Sequence, residues 1–308
     1  MARDAHGRFY VVTPETGSEA PFVFDANGAF VRRLGRGGDG PGEYRSASVV
    51  LVGAGDTIHV IDQIGRITAL DPSSFDVVHT TRLSFSPDWS ALRFANGTYV
   101  INGSARDPDK IGFPLHRVSV EGNIIRSFGD DDPFLRPGET HRLIRWLAKS
   151  GGGRLWSVPF THEYAIELWD TTRVRVARLE RDVDWFKPYD QYWLPTLDRA
   201  PAPRIMGIWQ DARGYVWTIV HVGRPQWRRG LGTGIRLEGQ MAYPITDEQR
   251  VYDTVAEVID PAAGVVVASQ RLPETIDLVV QPNLVAAVRE APSGWLYLEI
   301  LTVRLQQQ

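Results

Sequence analysis

Cysteine is absent from the 308 residues. Disulfides, thiolate metal sites and a cysteine nucleophile are therefore excluded, and the compartment stays open. Long apolar runs are missing as well. The longest are strand-sized pieces such as Val49-Val50-Leu51-Val52, far short of the roughly 20 residues of a membrane-spanning helix. The opening Met1-Ala2-Arg3-Asp4 carries no apolar signal-peptide core. Neither charge is in large excess: 34 Lys and Arg face 37 Asp and Glu, a net of −3. Neutralising a phosphate backbone needs a basic surplus, so nucleic acid is not an expected partner. Amphipathic helical periodicity is nearly absent too.

What is present is material for many short strands joined by tight turns: 43% hydrophobic residues, ten Trp, ten Tyr, twelve Phe, 29 Gly and 20 Pro. It is organised as a repeat. One unit is a strand, a turn of Asp, Asn or Gly, then a strand bearing an aromatic or His. Its copies are Asp4-Ala-His-Gly-Arg-Phe-Tyr10, Gly53-Ala-Gly-Asp-Thr-Ile-His59, Ala95-Asn-Gly-Thr-Tyr99, Gly151-Gly-Gly-Arg-Leu-Trp156 and Asp211-Ala-Arg-Gly-Tyr-Val-Trp217. A weaker sixth copy is Gln281-Pro-Asn-Leu-Val-Ala-Ala-Val288.

A second element follows the first five: an apolar strand, an acidic turn, another strand. Its turns centre on Asp25, Asp71, Glu121, Asp170 and Asp260. Such a side chain can accept a hydrogen bond from the backbone two residues on, and a following Gly supplies positive φ. Two hairpins in series make a four-stranded antiparallel sheet, the blade of a propeller. Six aromatic-bearing hairpins predict one all-β domain over residues 1–308, a six-bladed β-propeller. Its blades fall at about 1–35, 46–83, 89–129, 141–182, 203–272 and 275–305. A sandwich is the alternative all-β reading, but sandwich strands do not recur as matched pairs of hairpins.

The run from Tyr10 through Phe22-Val-Phe-Asp25-Ala-Asn-Gly28 to Gly40-Pro-Gly-Glu-Tyr44 resembles the NHL-repeat-like six-bladed propellers common among exported bacterial proteins. Pro203–His221 and Tyr252–Pro261 resemble the same group. The resemblance covers the whole chain and implies the fold. It does not choose a chemistry, because the fold hosts lactonases, lyases and interaction modules. The sixth unit ends at Trp295–Leu305 without an outer strand, and the first leaves only Met1 to Arg3 for its innermost strand. An open edge is a liability. The expectation is a leader and a closing strand upstream of Met1, which implies a periplasmic or cell-envelope location; without a leader it would be cytoplasmic.

Binding sites on such scaffolds gather on loops. The second-to-third-strand loops begin near Thr13, Asp62, Asn102, Phe160, His221 and Glu290. The fifth, from Val222 to about Arg250, is the longest and contains Arg224 and Trp227. The connector before the fifth blade holds Trp185, Phe186, Tyr189, Tyr192 and Trp193. Together they predict an aromatic, partly basic roof over one face. The plainer reading is that these rings pack the loops. His162, Glu163, His221, Asp62 and Asn102 are scattered candidates for a metal or ligand. Capping strands is their plainer role. Asp62 with Arg66 has the form of a turn pair. Gly35-Arg-Gly37-Gly-Asp-Gly40 matches a dinucleotide pattern in letters only, because no helix follows it. Asn96-Gly-Thr98 and Asn102-Gly-Ser104 match glycosylation acceptors by a pattern common at turns.

The leading expectation is a non-enzymatic propeller of the cell envelope with no cofactor, binding a small molecule, glycan or partner protein on its loop face. The alternative is a metal-dependent, lactonase-like hydrolase or lyase holding a divalent ion such as calcium. A subunit of a larger membrane complex is a third reading.

Overall fold

The computed structural model describes residues 1–13, 20–129, 143–172, 174–190, 193–237 and 240–306. Six antiparallel sheets follow one another along the chain, the blades of a six-bladed propeller. The first comprises β1 (Ala2–Arg3), β2 (Phe9–Val11), β3 (Phe22–Phe24) and β4 (Phe30–Arg33). A short parallel pair, β5 (Arg36–Gly37) and β6 (Glu43–Tyr44), leads to the second sheet. That sheet is β7 (Ala47–Val52), β8 (Ile58–Asp62), β9 (Arg66–Leu70) and β10 (Val77–Arg82). The third is β11 (Phe85–Arg93), β12 (Tyr99–Ala105), β13 (Leu115–Val118) and β14 (Ile124–Phe128). The fourth is β15 (Arg145–Lys149), β16 (Arg154–Pro159), β17 (Ala165–Asp170) and β18 (Arg175–Glu180).

The fifth sheet begins with β19 (Arg204–Gln210) and β20 (Val216–Gly223). An insertion follows, holding the hairpin β21 (Ile235–Leu237) and β22 (Gln240–Ala242) and one helix, α1 (Glu248–Val251). The sheet closes with β23 (Tyr252–Asp260) and β24 (Val265–Leu272). The sixth has three strands among the described residues: β25 (Leu278–Gln281), β26 (Leu284–Glu290) and β27 (Leu296–Thr302). By contact density the chain forms two units. Met1–Leu155 with Trp169–Arg175 is one, and Trp156–Leu168 with Val176–Gln308 is the other.

Four of the five acidic turns act as their sequence predicts; in the third blade Ser119 rather than Glu121 holds the turn, its hydroxyl accepting the Asn123 amide at 3.3 Å. Asp25, Asp71, Asp170 and Asp260 each accept from the amide two residues on, at 2.8 to 2.9 Å. Gly97 follows Asn96 in the β11–β12 turn at φ 84°, a conformation that favours glycine. Two of the first-hairpin aromatics are tied to their turns. Tyr10 donates its hydroxyl to Asp4 at 2.8 Å, and Trp217 its indole N–H to Asp211 at 3.1 Å, across the same spacing of six residues. Each unit carries its own apolar clusters. One in the first unit gathers Val100, Leu115, Phe128 and Trp169, and one in the second gathers Trp209, Trp217, Ile219 and Val285.

Candidate functional site

Strand β20 is buried along almost its whole length, and its His221 is fully enclosed. Register puts Arg204 of β19 directly opposite. The imidazole Nε2 donates to the Ile276 carbonyl at 3.0 Å, while Nδ1 faces Arg204 Nη2 at 3.5 Å. The same Nη2 lies 2.5 Å from Glu248 Oε2, at the start of α1. Tyr252 carries both groups on its ring: Arg204 sits 4.7 Å from its centroid, and His221 stacks at 5.3 Å. Asp277 completes the cluster. One carboxylate oxygen accepts the Val288 amide at 2.7 Å, and the other lies 3.7 Å from His221 Nε2. Burial, then the Arg204 charge, holds the His221 pKa well below the ordinary range. Burial lifts that of Asp277. The neutral imidazole is therefore wedged between a cation and a carboxyl group.

His221, Glu248 and Asp277 offer three ligand atoms within 4.8 Å of one another. This set fits a divalent ion only if Arg204 withdraws from Glu248 and from Nδ1, the imidazole nitrogen that keeps its lone pair while Nε2 donates to Ile276.

Around this cluster the long insertion and the preceding connector dock on each other. Tyr243 donates its amide to the Pro195 carbonyl at 3.0 Å, and Arg228 its Nε to Leu197 at 2.6 Å. Trp227 turns inward and packs with Val251 and Tyr252. Trp193 donates to the Ala200 carbonyl at 2.8 Å, and Arg199 lies 3.5 Å over its ring. Phe186, Tyr189 and Trp193 form a run of rings, with Tyr189 also on His162 at 5.0 Å and Trp185 on Tyr164 at 5.8 Å. Arg224 ties the insertion down through the Asp253 carboxylate at 2.8 Å and the carbonyls of Gln249 and Pro273. Leu197, Ile235 and Met241 remain 50%, 43% and 43% exposed on the outer surface.

A family model described as a 6-bladed beta-propeller, DUF5128, matches residues 3–171. The chain belongs to this family. No curated protein matches it in sequence. Among solved structures this DUF5128 propeller is similar to an inferred exported protein from Bacteroides fragilis: 15% identity, 94% of this chain and 78% of that one covered, TM-score 0.59. A Bacteroides caccae protein of unknown function gives 10%, 88%, 80% and 0.53. The hydrazine synthase of Kuenenia stuttgartiensis gives 11%, 97%, 75% and 0.50. At such identities the likeness is one of fold.

The remaining candidates of this DUF5128 propeller are held by partners within the fold, Asp62 and Asn102 by its backbone. Asp62 accepts the amides of Arg45, Ser46 and Ile64 at 2.8, 3.2 and 3.2 Å. Arg66 lies 3.4 Å from it and donates to the carbonyls of Asp39, Gly40 and Glu43, pinning the Gly40–Tyr44 connector. Asn102 donates to Pro114 and Leu143 carbonyls at 2.8 and 2.7 Å and accepts from the Arg145 amide at 3.0 Å. His162, at φ 78°, meets the Thr161 hydroxyl at 2.5 Å. Glu163 pairs with Arg178 at 2.8 Å, and Glu167 does so at 2.7 Å. Tyr192 lies outside the described residues.

Sequence reasoning did not single out Arg204, Glu248, Asp277, Arg181 or Glu257. Glu257 carried a usable signal. It stands inside the apolar run Val255-Ala256-Glu257-Val258-Ile259, where a charge must be paired. Arg204 and Glu248 lie 44 residues apart, and nothing local joins them.

Proposed function

We propose that this chain is a non-enzymatic binding propeller of the cell envelope, engaging a ligand or partner protein on the platform built by residues 184–203 and 224–251. The docking of these two segments carries the reading. Their main-chain bonds and inward-turned tryptophan hold out apolar Leu197, Ile235 and Met241 as exposed side chains, with Met241 opposite Arg236 in the hairpin register and the Leu197 carbonyl bonded to Arg228. Exposed apolar side chains grouped with arginine suit a recognition surface. The envelope placement leans on the likeness to the Bacteroides fragilis protein described as exported. Kinship with NHL repeats is supported by the recurring Asp-to-aromatic bond and the Asp62–Arg66 turn pair.

The test is retention from envelope extracts by the wild type and by a Leu197→Ser, Ile235→Ser, Met241→Ser triple variant. A specific ligand or partner kept by the first and lost by the second is expected. Equal retention by both would overturn the platform reading.

The second reading is a metal-dependent hydrolase or lyase at His221, Glu248 and Asp277, favoured by their closeness. Metal analysis of the purified chain separates the two. A stoichiometric divalent ion that disappears in His221→Ala, with turnover lost alongside, would select the enzyme.

A further inference from the structure

A cleft of about 410 Å³ opens in the first unit, lined by Phe94, Asn96, Thr98, Arg117, Lys149 and Thr171 among others. Its walls are the β11–β12 turn, the β15–β16 turn and the turn after β17. In an antiparallel blade these turns lie at the strand ends opposite the second-to-third-strand loops. The cleft is therefore separate from the second-to-third-strand loops.

The lining carries positive charge and no carboxylate. Arg117 donates Nη1 to the Thr171 carbonyl at 3.3 Å, and its buried Nε has no acceptor. Arg93 enters the β11–β12 turn with its own Nε buried and without an acceptor, its guanidinium 5.9 Å from the Tyr99 ring. Lys149 has no carboxylate partner among the described residues. Partial burial first and the Arg93 charge second lower its pKa. The neighbouring Asp170 spends its carboxylate on its own turn, accepting from the Thr172 and Val174 amides at 2.9 and 2.8 Å. Asn96 Oδ1 is taken by the Thr98 amide and hydroxyl at 3.1 and 2.8 Å, which leaves its amide N–H groups as donors. The Gly151-Gly152-Gly153 turn adds open space at the rim: a Cβ at any of the three would meet nothing within 4 Å.

We propose that this cleft binds a small molecule bearing an oxyanion: a phosphate, sulfate or carboxylate group. Such a group supplies the counter-charge that Lys149 and Arg117 lack, and it accepts from a guanidinium and an ammonium at once. The Phe94 and Ala95 side provides an apolar wall for the body of the ligand. A volume of this size is in the range of sites for small ligands, roughly 300–1,000 Å³.

The test is calorimetric titration of the full chain at low salt with inorganic phosphate, inorganic sulfate and glucuronate in separate arms, repeated on Lys149→Gln and Lys149→Glu. Lys149 keeps its side chain open to solvent at the mouth of the cleft although its ammonium is partly enclosed, so both variants are expected to melt as the wild type does. Saturable binding of at least one anion is expected. Loss of one charge-assisted contact should weaken it about tenfold in Lys149→Gln. Lys149→Glu should abolish it, and added sodium chloride should weaken it in the wild type. The arm that binds most tightly identifies the anion. No saturable binding in any arm, or unchanged affinity in Lys149→Glu, would overturn the proposal.

Discussion

Arg181 lays Nε and Nη2 against the two carboxylate oxygens of Glu257, at 2.9 and 3.0 Å. Glu257 is almost fully buried on β23 and accepts two further bonds, from the Tyr164 hydroxyl at 3.1 Å and the Ser269 hydroxyl at 3.2 Å. The Tyr164 hydroxyl in turn meets Thr218. A buried charge satisfied this fully is expensive to strand. Arg181→Leu is expected to destabilise the protein by about 3–5 kcal/mol, because it leaves the carboxylate uncompensated. The double variant Arg181→Leu, Glu257→Leu should be the milder of the two. Urea denaturation of both, set in a double-mutant cycle, measures the difference.

Acid should begin to loosen the fold near pH 6.5, before the range where carboxylates titrate. Burial pushes His59 down to about 4, with the Arg93 charge adding to it, and burial pushes His116 to about 4 as well. His221 is lowered further. Each is neutral when folded and, with an ordinary pKa near 6.5, takes up a proton when unfolded. Between about pH 6.5 and 4 the unfolded chain therefore binds more protons, and stability falls as pH falls. For each of the two shifts to about 4 the loss is of order 3 kcal/mol across that window. Asp277, whose pKa is raised, works in the opposite direction. Denaturation midpoints at pH 7.5 and 4.5 test this, and His116→Gln should flatten the slope.

The platform can be disturbed without touching a blade. Gly230 packs so closely that a Cβ there would collide with the Asp247 carbonyl oxygen and the Val251 side chain. Its own carbonyl accepts the Thr246 and Asp247 amides at 3.0 and 3.1 Å. Gly230→Ala is expected to lift α1 and free Glu248 from Arg204. The global melting midpoint should move by only a few degrees, in line with roughly 1–3 kcal/mol for overpacking. Hydrogen exchange should accelerate in residues 224–251 and stay unchanged in β12 and β13.

The Asp-to-aromatic bond is a direct target. Tyr10→Phe removes the donor to Asp4 and keeps the ring, so the loss should be about 1.5–3 kcal/mol, the range for a hydrogen bond to a charged group. Trp217→Phe at the equivalent place in the fifth blade should cost more, since it also removes volume from a buried stack with Trp209. Thermal unfolding of both variants decides it.

The blades were legible because each hairpin is written locally. Asp25 and Asp71 bond their own turns within two residues, so the sequence need only be read over that distance. Asp62 and Arg66 were legible as a turn pair for the same reason, although the reach of Arg66 to Asp39 and Gly40 was not. The platform was half legible. The aromatic connector and the long insertion stood out by composition, whereas the bond from Tyr243 to Pro195 spans 48 residues and depends on how the insertion folds. Trp227 was read as roof and packs inward, because nothing in its neighbours says which side of a loop is dry. The basic cleft was not read at all. Its lining cations, Arg117 and Lys149, stand 32 residues apart on different strands, and each looks like an ordinary solvated charge in its own segment.

The mutual docking of residues 184–203 and 224–251 has a consequence for inheritance and for engineering. The two segments are fastened to each other, because the connector supplies the Pro195 and Leu197 carbonyls that accept from Tyr243 and Arg228 of the insertion. A change in the length of one must be answered in the other. A graft of the surface onto another propeller would have to move both as a single cassette, with Arg224 and Asp253 as its fastening.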